Sequence, residues 1–287
     1  MPARRIGAPA LFVAPLVLVM VVGFVWPLAG VLVNSLHPNT PQGIAAEHWT
    51  LGNYARLADP FYGEVLLRTL RISVAVTAIS GVLAYPVALL VSRRSPRAQS
   101  LFLLAYISPW LINTVVKALG WTLLLRTNGM VNATLRALDV ISAPLKLMLN
   151  ETGVIIALIP GHFMFVLLPL WVALGGLDPA LSWAAGTLGA RPSAVFWRVV
   201  FPITLPAFVA GLVINFIMNM TVFAIPVFLG GARNMVASML AYQINLVQLD
   251  WPLGGALAVA LLAFTLILVW AGQRAAALLA VGRGIQP

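Results

Sequence analysis

Six apolar runs separated by polar stretches set the pattern of this chain. They cover about 11–33, 68–92, 100–125, 152–177, 203–229 and 251–273. At about 1.5 Å of helix per residue, each is long enough to cross roughly 30 Å of hydrocarbon. The first run follows Arg4 and Arg5; it is too long for a signal-peptide core and has no clear small-x-small cleavage site. It therefore predicts a retained span, and a paired arginine alone is weak support for an export signal. The second run carries Pro86, a kink in waiting. The third holds one charge, Lys117, and the fourth places His162 between Pro160 and Pro169. The fifth holds Asn215, Asn219 and Thr221, and the sixth is uncharged.

The polar stretches differ in kind. Residues 34–64 carry Pro38, Pro41 and Pro60 with three acids and read as an external loop. Residues 92–97 are short and basic. Residues 128–150 and 230–250 are longer loops with weak helical signal, and no internal repeat is visible. Residues 178–201 form a Gly- and Pro-punctuated island between spans four and five. Two short amphipathic pieces, 179–188 and 192–200, flank a Gly189-Ala190-Arg191 turn. Gly189 there can take a positive φ that a β-carbon would oppose.

Charge orients the spans. Six crossings put both termini on one face. That face carries Arg4, Arg5, Arg93, Arg94, Arg97, Arg191, Arg198, Arg274 and Arg283 against one acid, Asp178. The other face sets Arg56, Arg68, Arg71, Arg126, Arg136, Lys146 and Arg233 against Glu47, Asp59, Glu64, Asp139, Glu151 and Asp250. The positive-inside rule makes both termini and the 178–201 loop cytoplasmic.

Composition agrees. Of 287 residues, 61% are hydrophobic and 8% charged, with mean hydropathy +1.00; a soluble domain could not cover so much apolar surface. The expectation is an all-α integral membrane protein, one permease domain over residues 1–287. The absence of cysteine excludes disulfides, thiolate nucleophiles and Cys-ligated metals. The net charge of +10 is spread thinly between apolar runs, so nucleic acid is not an expected partner and the lipid bilayer is.

The island carries a resemblance. Trp183-Ala184-Ala185 is followed by three residues, Gly189, nine residues, and Val199-Val200-Phe201-Pro202. This is similar to the EAA loop of the inner-membrane permease subunits of binding-protein-dependent ABC importers. That family reads Glu-Ala-Ala, three residues, Gly, nine residues, then Ile-x-Leu-Pro. Trp183 departs from it by standing where the Glu stands. Leu188, Ala190, Pro206 and Gly211 also fall where such permeases have them. The likeness covers almost the whole chain and points to the spermidine/putrescine branch. Asn53-Tyr54, Pro109 with Asn113 and Lys117, Asn128-Gly129 with Asn132, Gly230-Gly231 and Asp250-Trp251-Pro252 with Gly254 resemble that branch, which has an Arg at the position of Lys117.

The resemblance implies a type I ABC importer permease fold in a bacterial inner membrane. It also implies a second, different permease subunit, a dimer of ATPase subunits and an external substrate-binding protein. Ala184, Ala185, Gly189, Ala190, Arg191, Phe196, Arg198 and Pro202 would couple to the ATPase. Rigid spans four and five, hinged near Pro169 and Pro202, would pass its closure on. The chain has no Gly-x-x-x-x-Gly-Lys-Ser/Thr loop, so ATP and magnesium belong to the partner and no catalytic residue or bound cofactor is expected.

Asn113, Lys117, Trp121, His162, Asn215, Asn219 and Thr221 are the candidates for a substrate path. Lys117 lines it or snorkels outward. His162 lines it or satisfies a carbonyl freed by the prolines; no second metal ligand lies near it in sequence. Asn215 and Asn219 share one helix face and either line the path or bond neighbouring helices. Trp110, Trp121 and Trp171 stack on a cation or form an interface belt. No acid lies within any apolar run, so a polyamine path would draw its carboxylates from the partner or rely on aromatic rings. Polyamines lead the cargo classes, with opines, aminophosphonates and other small zwitterions beside them. An ion-gradient carrier would show intramembrane acids or broken helices in two corresponding halves. An intramembrane enzyme would need a metal site or proton-shuttling pair that one buried histidine does not build.

Overall fold

A computed structural model describes residues 7–40, 43–44 and 47–281. Arg4, Arg5, Pro41 and Arg283 lie outside the described residues. The chain packs as two compact units. One takes in the chain up to Gly63 with Leu240–Phe264, the other Glu64–Met239 and the chain from Thr265 onward.

In the first unit, α1 (Gly7–Met20) runs through a π turn, Val21–Val25, into α2 (Trp26–Ser35). Within Pro15–Ser35 its most apolar stretch has no residue buried within the chain, so it presents an apolar surface to lipid or to another chain. A two-residue hairpin follows, β1 (Asn39–Thr40) with β2 (Gly43–Ile44), then α3 (Gly52–Leu57). Asn53 is buried and donates from Nδ2 to the carbonyls of Ser35 (2.9 Å) and His37 (2.8 Å), closing the end of α2. Tyr54 Oη meets Ser35 Oγ at 2.7 Å. Arg56 pairs with Asp250 at 2.8 Å, and Asp250 Oδ1 also accepts from the Leu253 amide.

The second unit holds most of the long helices. α4 (Pro60–Ser92) is one unbroken helix of 33 residues that begins before the predicted span and tolerates Pro86. The third span departs from the expected continuous helix over 100–125. It divides into α5 (Pro96–Ile107), a 3₁₀ turn at Ser108–Leu111, and α6 (Thr114–Leu125). The halves meet at 95°. The cause is local: Pro109 opens the tight turn, Ile112 is extended, and Asn113 accepts from the Val115 amide at 2.8 Å to start a new helix. α7 (Met130–Ala137) forms inside the loop read as weakly helical. Buried Asn132 pins that loop through Leu145, accepting its amide and donating to its carbonyl.

The fourth span is α8 (Glu151–His162) and α9 (Met164–Gly175), together one crossing with a turn at Phe163. Glu151 receives Arg68 at 3.2 Å and Arg71 at 2.6 Å. After α10 (Pro179–Thr187), α11 (Pro192–Val195) passes through a π turn, Phe196–Val200, into α12 (Phe201–Met220) without interruption. Two expectations are corrected here. Residues 192–200 are the opening turns of the fifth span rather than a separate piece. That span stops at Met220 instead of 229, because Thr221–Phe223 leave the helix before the short α13 (Ala224–Leu229). No break marks Pro202: the π turn supplies its extra residue, and the Phe201 amide bonds back to the Phe196 carbonyl.

α14 (Ala237–Tyr242) and a π turn at Gln243–Val247 precede α15 (Trp251–Val281). Among the described residues, five helices are long and apolar enough to span a membrane, or six when the bent pair is counted as one span.

Two apolar clusters hold the second unit. Ile72, Val76, Leu125, Leu158 and Leu229 center one; Ala84, Ala88, Leu167 and Leu170 center the other. The second is closed by Tyr85, whose ring meets Phe196, Phe201 and Phe208 at 5.3–5.6 Å and whose hydroxyl meets Thr204 Oγ1 at 2.6 Å. α9 and α12 pack backbone to backbone at Gly211, where an added Cβ would lie 2.9 Å from Val166 Cα.

Candidate functional site

The bend in the third span opens a cavity of 520 Å³ between α5, α6, α8 and the end of α12. Its walls are aromatic: Tyr106, Trp110, Trp121 and Phe165, with Trp110 edge-on to Phe165 at 6.4 Å. Lys117 and His162 are the basic groups on its wall, and no acid is among the lining residues. Of the path candidates, the structure brings Lys117, Trp121 and His162 together here.

The others stand apart from the cavity wall. Asn113 is spent on capping α6. Thr221 is exposed and donates to carbonyls of its own helix, Ile217 and Met218. Asn215 and Asn219 are fully buried behind His162. Asn215 Nδ2 donates to the His162 carbonyl at 2.7 Å, and Thr77 Oγ1 donates to Asn215 Oδ1 at 3.0 Å. Asn219 Nδ2 donates to the Asn215 carbonyl (2.8 Å) and to its Oδ1 (2.6 Å). Asn219 Oδ1 meets His162 Nδ1 at 2.5 Å. The network has a simple origin. The turn at Phe163 leaves the His162 carbonyl without its helical partner, because the Val166 amide bonds to Phe163 instead, and Asn215 supplies the donor.

The cavity contains residues that sequence reasoning passed over as lining groups. Tyr106, Thr114 and Phe165 carried no signal beyond an apolar run. Trp110 could be read equally as an interface belt. Trp171 lies half-buried against the Tyr85 cluster, away from the cavity.

The 178–201 island is the second feature. Asp178 Oδ1 accepts from the Ala180 amide at 2.8 Å and starts α10. Gly189 takes φ +77°, and nothing lies within 4 Å of where a Cβ would stand. The Ala190 amide returns to the Ala185 carbonyl at 3.1 Å and closes the helix end. Ala184, Gly189, Arg191 and Arg198 are exposed, while Ala185, Ala190, Phe196 and Pro202 are half-buried. Phe196 points into the Tyr85 cluster, whereas its neighbour Trp197 is largely exposed. Trp183 and Leu188 are 73% and 88% exposed.

The spermidine/putrescine transport system permease protein PotB of Salmonella typhimurium (strain SL1344) is 33% identical over 230 residues, covering 79% of this chain and 80% of that protein. The chain belongs to the spermidine/putrescine-type family of ABC importer permeases. PotB of Escherichia coli (strain K12) is 32% identical over 79% of the permease and 83% of its own length. A bacterial ABC transporter involved in import of the acidic polysaccharide alginate shares the fold. Its matching chain superposes with a TM-score of 0.70 at 17% identity, covering 91% of the permease and 92% of its own length. No protein-family model matches the sequence. The permease is thus a multi-pass transport subunit.

Proposed function

We propose that this chain forms half of the translocation path of an ATP-driven importer and passes ATPase closure to that path through the 178–201 island. The path is completed by a second, different permease subunit. A dimer of ATPase subunits binds ATP and magnesium, and an external binding protein delivers the solute. The observation that carries this reading is the uninterrupted helix from Pro192 to Met220. Its first turns belong to the exposed island, and its last turns carry Asn215 and Asn219, which hold His162 on the cavity wall. A pull on one end is felt at the other. Orientation follows from charge: both termini and the island are cytoplasmic, in a bacterial inner membrane.

Polyamines such as spermidine and putrescine are the favoured cargo. The relatives' names and the aromatic cavity support this, because ring faces attract ammonium groups. Lys117 favours a second reading. As the cavity's fixed cation with no acid on the wall, it suits a small zwitterion, such as an opine or aminophosphonate, whose anionic end it would pair.

Co-purification with candidate ATPase subunits tests the importer reading, comparing wild type with Gly189→Asp. A Cβ at 189 meets open space within the chain, so the substitution acts on the turn and on whatever docks there. The expected outcome is an ATPase that co-elutes with wild type and is released, or loses coupled hydrolysis, in the variant. An ATPase that binds under no condition overturns the reading in favour of a gradient-driven carrier.

A further inference from the structure

We propose that His162 Nε2 is a hydrogen-bond acceptor for a solute ammonium, so that the cavity selects amines carrying N–H over quaternary ammonium compounds. This names the solute chemistry of the cavity and rests on the importer reading above. The inference starts from two backbone carbonyls, which fix the side-chain orientations. Asn215 must turn its NH₂ to the His162 carbonyl, and Asn219 must turn its NH₂ to the Asn215 carbonyl. Asn215 Oδ1 therefore faces the donors Thr77 Oγ1 and Asn219 Nδ2, and Asn219 Oδ1 is left facing His162 Nδ1. Two acceptors cannot bond, so Nδ1 carries the hydrogen.

An imidazolium would place a second cation on a wall that already holds Lys117 and has no carboxylate. The uncharged ring with hydrogen on Nδ1 leaves a lone pair on Nε2. Among the described residues no hydrogen bond reaches that atom, and His162 is one of the residues lining the cavity. The buried asparagine pair thus presents an acceptor to a chamber walled by Trp110, Trp121, Tyr106 and Phe165. An ammonium with N–H can donate to Nε2 while resting on ring faces. A quaternary ammonium satisfies the rings only.

Isothermal titration of the assembled complex in nanodiscs, without binding protein, tests this with spermidine and fully N-methylated spermidine. Wild type should bind spermidine about tenfold or more tightly than the methylated compound, the usual effect of one hydrogen bond to a charged group. In His162→Phe the two affinities should converge to within about twofold. His162→Gln, whose amide can donate to Asn219 and still offer an oxygen, should keep most of the preference and so separates lost chemistry from lost folding. An unchanged preference in His162→Phe overturns the inference, as does equal binding or no binding by wild type. ATPase assembly is read in the same samples. A complex that assembles and hydrolyses ATP while His162→Phe keeps its preference rejects this inference alone. A chain that assembles with no ATPase rejects the importer reading and this inference with it.

Discussion

Lys117 is where single-residue chemistry separates the two cargo readings. It shares the cavity wall with His162, Trp110 and Trp121, and no lining residue offsets its charge. A fixed ammonium repels a polyamine and attracts a carboxylate or phosphonate, and the effect is larger between protein walls than at an open surface. Lys117→Met should therefore raise the affinity of the assembled complex for spermidine severalfold, as measured by titration without binding protein. A severalfold fall for a zwitterionic solute in the same variant would instead assign the cargo to the second class. The sequence exposed Lys117 and His162 as polar exceptions in apolar runs. It also showed the four-residue spacing of Asn215 and Asn219. It did not show that the asparagines sit behind the histidine, because that depends on the turn at Phe163 and on a contact 53 residues away along the chain.

At the scale of elements, the apolar runs marked where helices lie but not where they break. In a soluble helix the polar face would have revealed a break as a change of period. In a lipid-facing run both sides of a break are apolar, so the turns at Ile112–Asn113 and Thr221–Phe223 left no hydropathy signal. Pro109 and Asn113 were visible as residues, yet Pro86, Pro160 and Pro169 are equally visible and sit inside helices. The close approach of α9 and α12 was legible only as Gly211 standing where such permeases have it. The structure gives its cause in the Val166 backbone beside it. That contact joins the fourth span to the helix that carries the exposed island. Gly211→Val should force the pair apart. Overpacking of this kind costs about 1–3 kcal/mol or more, and the expected result is a lower unfolding temperature in detergent with Tyr85–Thr204 contacts loosened. Gly186→Ala, where a Cβ meets nothing within 4 Å, should leave stability unchanged in the same assay.

For the whole molecule, the orientation of the spans decides whether the island can meet a cytoplasmic ATPase at all. The sign of the charge bias predicts 92–97 and 178–201 on one face and 128–150 on the other. The structure adds that the acid-rich face is partly neutralised within itself. Glu151 takes Arg68 and Arg71, and Asp250 takes Arg56, while Arg191 and Arg198 of the opposite face are exposed. The absence of cysteine makes the test direct. Single cysteines at Thr187 and Ala133, both exposed, would be treated with a membrane-impermeant maleimide. Thr187→Cys should react only after the inner membrane is permeabilised, and Ala133→Cys should react in cells whose outer membrane alone is opened. The reverse pattern would put the island outside, beyond reach of any ATPase. Labelling of both from one side would show that the fourth span, Glu151–Gly175, which separates them, does not cross, leaving five crossings and the termini on opposite faces.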